Sequence, residues 1–109
     1  MKFFNKLTFV FFVALMLPLS AQAQNYPNPQ SLYVNDFANI IGAQSEERIE
    51  VMLRAAKKDR DLEITVVTID RQSDYGGTGS FKTFAVGLFN KWGIGNALRN
   101  DGILILVSK

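Results

Sequence analysis

The sequence contains neither cysteine nor histidine. Without thiols, an exported fold must rest on its core rather than on disulfides, and thiolate metal sites and thiol nucleophiles are excluded. Without imidazole, the usual general base near neutral pH and the commonest transition-metal ligand are missing. Any site has to use carboxylates, hydroxyls, Lys, Arg or backbone amides. Membrane-spanning length is absent as well: the apolar run Leu7 to Leu19 is well short of the roughly 20 residues that cross a bilayer.

What the first residues do contain is a targeting signal. Lys2 and Lys6 make a basic start, Leu7 to Leu19 an apolar core, and Ala21-Gln22-Ala23 a small-x-small cleavage site, so residues 1–23 are expected to be removed on export. The chain has twelve Lys and Arg against ten Asp and Glu. Two of those twelve lie in the leader, so the remainder is formally neutral. No basic stripe is left for nucleic acid or an anionic membrane surface, and nucleic acid is not an expected partner.

Residues 24–31 carry Pro27 and Pro29 among Asn and Gln, the composition of an extended, poorly packed arm. Leu32 to Ile41 is mixed polar and apolar without clean periodicity and reads as a loop or short extended piece over one face of the core. Ser45 then suits a helix N-cap, with Glu46 and Glu47 in the first turn. Ile49, Met52, Leu53 and Ala56 form one apolar stripe behind it, and Lys57 to Asp61 is a solvated helix end.

The β-branched run Ile64 to Ile69 predicts a buried strand. A second helix, capped by Ser80, presents Phe81, Phe84, Ala85, Leu88 and Phe89 on its apolar side. Trp92 sits one turn beyond Phe89 as a lid on this core, and Gly93 and Gly95 reverse the chain. Ile103 to Val107 is unbroken apolar sequence, as in a central strand covered on both sides. The fold class is therefore α/β, a parallel or mixed sheet flanked by helices around a right-handed βαβ unit. So few elements make a marginal core, so the chain is expected to be the N-terminal part of a longer polypeptide.

Trp92-Gly93-Ile94-Gly95, followed by Asn100-Asp101-Gly102 and the strand Ile103 to Val107, resembles the TPM domain family, also called the TPM phosphatase family. Tyr33-Val34-Asn35-Asp36 with Phe37-Ala38, and the strand Ile64 to Ile69, support the match, which covers residues from about 32 to 109. Trp92, Gly93, Gly95 and Gly102 are its structural signature here. The resemblance implies an exported α/β domain, often tethered by a later C-terminal helix. It further implies either assistance to membrane protein complexes or acid phosphatase activity, with divalent cation binding in some members.

Open α/β sheets gather ligands beyond the carboxyl ends of their strands. Asp70 ends the first predicted strand, Asp74 follows in the loop, and Asp36 precedes the helix that runs back along that strand. Together they suit a hard cation such as Ca²⁺ or Mg²⁺. Turn and cap hydrogen bonds are the commoner use of Asp at such positions. Asp101, entering the last strand at the opposite edge, is a second-choice ligand and a natural turn residue. Gly77, Gly79 and Ser80 join a strand to a helix start, where free amides can take a phosphate, although the Gly-Lys-Ser/Thr ending of a P-loop is missing. Three functions are consistent with these residues: an accessory module for membrane protein complexes with a cation site, a metal-assisted phosphatase acting on a small phosphorylated ligand, and a purely structural interaction domain.

Overall fold

The computed structural model describes residues 24–95, 98 and 100–109; the expected targeting segment, residues 1–23, lies outside them. The chain runs β1 (Val34–Asp36), α1 (Ala43–Arg60), β2 (Glu63–Ile69), a 3₁₀ turn (Gln72–Tyr75), α2 (Phe81–Trp92) and β3 (Gly102–Ser108). The three strands form one sheet in the order β1-β2-β3. Both pairings are parallel, Val34 lying opposite Val66 and Val66 opposite Ile105. The α/β class holds, and among the described residues the sheet is parallel throughout rather than mixed. No helix among them is long and apolar enough to cross a membrane.

Successive strand residues point to opposite faces, and here each face takes its own helix. Val34 and Val66 pack with Leu53 of α1, with Ile49 and Ile64 alongside. Val67 and Ile69 pack with Phe84 and Leu88 of α2, flanked by Leu104, Leu106 and Trp92. Phe84 and Leu88 are almost wholly enclosed, each worth roughly 2–3 kcal/mol of apolar burial. Two connections that advance in the same direction across a sheet, one over each face, must have opposite hands. The Val66 N–H donates at 2.6 Å to the carbonyl of Tyr33, the residue that leads into β1, and the Val66 side chain faces α1. For an L-residue this puts β1 to the right of β2 when the strands run upward and α1 is nearest the viewer. The β1–α1–β2 crossover is therefore left-handed, the rare hand, and β2–α2–β3 is the usual right-handed unit.

Several local expectations change. Residues Leu32 to Ile41 contain a strand, β1, which propensity alone did not separate from loop. α1 starts at Ala43 behind Gly42, which has no side chain with which to cap the helix, so Ser45 lies in the first turn. Ser80 caps α2 as expected, its hydroxyl accepting from the Thr83 amide at 3.1 Å. The arm from residue 24 is packed rather than loose: the Asn25 amide donates to the Tyr75 carbonyl, and the Tyr26 ring lies 5.0 Å from that of Phe84. Phe81, assigned to the apolar face of α2, is exposed. Among the described residues β3 is an edge strand covered on one face only. Ile103, Ile105 and Val107, on the face that α1 covers at β1 and β2, stay 41–47% exposed.

Candidate functional site

β1 ends at Asp36, opposite Thr68 on β2. The Asp36 carboxylate accepts from the Thr68 hydroxyl at 2.6 Å and the Ile40 amide at 3.1 Å through Oδ1. Through Oδ2 it accepts from the Ile41 amide at 2.9 Å. Thr68 is itself enclosed, and its oxygen accepts from the Ala38 amide at 3.1 Å. One carboxylate and one hydroxyl thus satisfy three amides of the segment that turns from β1 into α1. Asn39 stands in this turn at φ +55°, in the left-handed region that Asn tolerates well. Burial alone would raise the Asp36 pKa, but the bonds from Thr68, Ile41, Ile40 and Asn39 outweigh it and hold the carboxyl below its ordinary value.

Asp70 follows β2 at the same edge of the sheet, its carboxylate 4.0 Å from the Lys109 ammonium. Asp74 lies in the 3₁₀ turn and accepts from Arg71 Nε at 3.0 Å. Tyr75 next to it has its pKa raised, first by burial and then by the negative charges of Asp74 and Asp70, so these two aspartates act on a common neighbourhood. Asp36 shares their edge, but its oxygens are taken up by Thr68 and the turn. Among the described residues no group of three or more Asp, Glu, His or Cys side chains is placed to hold a metal ion. This donor set does not by itself make a divalent-cation cage.

The glycine loop is also internally bonded. The Gly77 amide donates to the Gln72 carbonyl, the Gly76 amide to that of Ser73, and Gln72 Nε2 to the Gly79 carbonyl at 2.6 Å. A Cβ at Gly77 would stand 3.0 Å from both the Gln72 carbonyl oxygen and the Phe84 ring. Close packing against α2 therefore accounts for this glycine without a bound anion, and Ser80 is occupied in capping.

Asp101 lies at the opposite edge, where its carbonyl accepts from the Glu63 amide at 3.3 Å. The signature residues meet there. Gly93 closes α2 in the left-handed region at φ +64°. A Cβ at Gly102 would come within 2.8 Å of the Gly95 Cα. Trp92 packs against the α2 core and donates from Nε1 to the Pro27 carbonyl at 2.9 Å, which makes it a clasp on the arm as well as the expected lid. Glu63 and Thr68 were missed by sequence reasoning. Glu63 accepts the Gly95 amide through Oε2, a contact between residues 32 apart that has no local signature. The Thr68 hydroxyl could have been found as one of two threonines, with Thr65, in the otherwise aliphatic run Ile64 to Ile69, once β1 was known to lie beside it.

A three-stranded parallel sheet with one helix on each face, entered through a Trp-Gly-x-Gly turn before the last strand, defines an α/β domain with an organised rim at each end. The family model for the TPM domain matches residues 34–109, which spans all three strands and both helices, and the chain belongs to that family. Comparison with curated proteins finds no match.

Proposed function

We propose that this chain is an exported TPM-type domain that serves as a binding and accessory module for membrane protein complexes, not as a hydrolase. The observation that carries the reading is the use made of the carboxyl-end rim. Asp36 accepts three hydrogen bonds from its own domain, Asp74 is paired with Arg71, and the amides of Gly76 and Gly77 bond within the loop. Groups spent in this way shape a surface. That surface presents Ile40, 46% exposed, beside Asn39 in the turn that Asp36 holds. A preformed turn with an apolar residue at its tip suits protein recognition, because little ordering remains to be done on binding. Export rests on the basic, apolar and small-x-small pattern of residues 1–23.

The test has two parts. Native fractionation should place the protein, shortened after Ala23, outside the cytoplasm and in the membrane-complex fraction; a cytoplasmic protein that keeps residues 1–23 overturns the reading. In parallel, the intact protein is assayed with a generic phosphomonoester and Mg²⁺, and its melting temperature is followed as Ca²⁺ is added. No turnover is expected. Turnover abolished by Asp70→Asn, together with a rise in melting temperature with cation, would overturn the module reading in favour of a metal-assisted phosphatase.

A further inference from the structure

The opposite end of the molecule holds a cleft that the rim chemistry leaves unused. It has a volume of about 300 Å³ and is walled by Pro29, Leu32, Trp92 and Ile94, with Glu63 and Thr65 among its lining. That volume lies at the small end of the range for ligand pockets, which characteristically combine apolar walls with a few placed polar groups. Two of these walls, Trp92 and Leu32, are held in position by hydrogen bonds. The Trp92 indole is tied by its N–H to the Pro27 carbonyl at 2.9 Å. The Thr65 hydroxyl donates to the Leu32 carbonyl at 2.9 Å, which pins the arm against β2. Glu63 accepts the Gly95 amide through Oε2, and among the described residues no cation pairs with its carboxylate.

We propose that this cleft binds an organic cation of the substituted-ammonium class, seated between the Trp92 ring and the Glu63 carboxylate. The charge requirement follows from Glu63, since an anion would be repelled and a neutral apolar ligand would strip water from the carboxylate without compensation. A bare metal ion is a poor fit, because a hard divalent cation seeks six or more oxygen ligands and the cleft offers one carboxylate. A trimethylammonium group satisfies both sides. Its charge is spread over methyls that pack on Leu32, Ile94 and Pro29, while the Trp92 face and the Glu63 carboxylate attract it.

Trp92 is the single tryptophan of the chain, so its fluorescence reports this cleft directly. Choline is titrated into the intact protein and compared with 3,3-dimethylbutan-1-ol, its uncharged carbon isostere. Choline should change the emission saturably with a Kd on the order of 1 mM, and the isostere should bind at least about tenfold more weakly. Glu63→Gln keeps an acceptor for the Gly95 amide and removes the charge, so it should weaken choline by about the same factor. Leu32→Lys places a cation at the rim on a residue that is already half exposed; it should abolish binding without touching the core, and it decides the matter if Glu63→Gln fails to fold. Equal responses to choline and its isostere, no saturable response to choline, or binding unchanged in Leu32→Lys would overturn the proposal.

Discussion

Replacing Asp36 by alanine removes the acceptor that joins β1, the Thr68 hydroxyl and the turn into α1. Three bonds go at once: Thr68 at 2.6 Å, Ile41 at 2.9 Å and Ile40 at 3.1 Å. Hydrogen bonds to a charged group contribute roughly 1.5–3 kcal/mol each when buried. The Ile40 amide is exposed and can turn to water, so its share is small, whereas Thr68 is enclosed and keeps only its bond from Ala38. The total should be about 3 kcal/mol, which for a domain of this size lowers the melting temperature by roughly 10–20 °C. Asp36→Asn keeps a carbonyl acceptor and should lose about half as much. The sign of the pH dependence follows from the lowered pKa of Asp36. The folded state favours the ionised form, so this stabilisation is complete above the carboxyl's ordinary pKa and is lost as pH falls through the folded value. Thermal melts by circular dichroism of wild type, Asp36→Asn and Asp36→Ala between neutral and strongly acid pH would measure it. A loss of less than about 2 °C for Asp36→Ala at neutral pH would refute the reasoning. So would a gap between wild type and Asp36→Asn that stays constant into strong acid.

Leu88→Ala opens a void in the best-sealed part of the core and should cost about 2–5 kcal/mol, read as a fall in the denaturant midpoint with little change in slope. Gly102→Ala puts a methyl into the place where the Gly95 backbone crosses the start of β3. A destabilisation of at least about 1–3 kcal/mol is expected there, whereas Gly42→Ala, where a Cβ meets nothing within 4 Å, should leave the melt within about 1 kcal/mol of wild type.

The elements with a strong period or composition were legible from residue order. The β-branched run at β2, the Ser80 cap and the Gly93 reversal all lie where local chemistry puts them, because each depends on neighbours within a few positions. β1 was not legible. Three residues cannot establish an alternation, and Val34-Asn35-Asp36 becomes a strand only by lying beside Val66-Val67-Thr68. For the same reason the start of α1 was misplaced. Gly42 makes no side-chain cap; the turn before it is set by the distant pair Asp36 and Thr68. The unbroken apolar run of β3 predicted cover on both faces, but only Leu104 and Leu106 received a helix. At the site, the rim position of Asp70 could be read from the polarity of β2, and that of Asp36 from the helix that runs back along it. What could not be read is that the Asp36 oxygens would be consumed by Thr68 and the turn, since that depends on a register 32 residues apart. Glu63 and its contact with Gly95 escaped for the same reason.

The bare flank of β3 governs how these molecules behave in company. Among the described residues β3 has a neighbour on one side only, and Ile103, Ile105 and Val107 stand in a row on its uncovered face; an unpaired strand edge beside such an apolar row recruits other strands. At high concentration, chains of this span should self-associate through that edge before they unfold, so light scattering would rise ahead of any loss of circular dichroism on heating. A charge at Ile105, the middle residue of the row, is the change that should keep them apart.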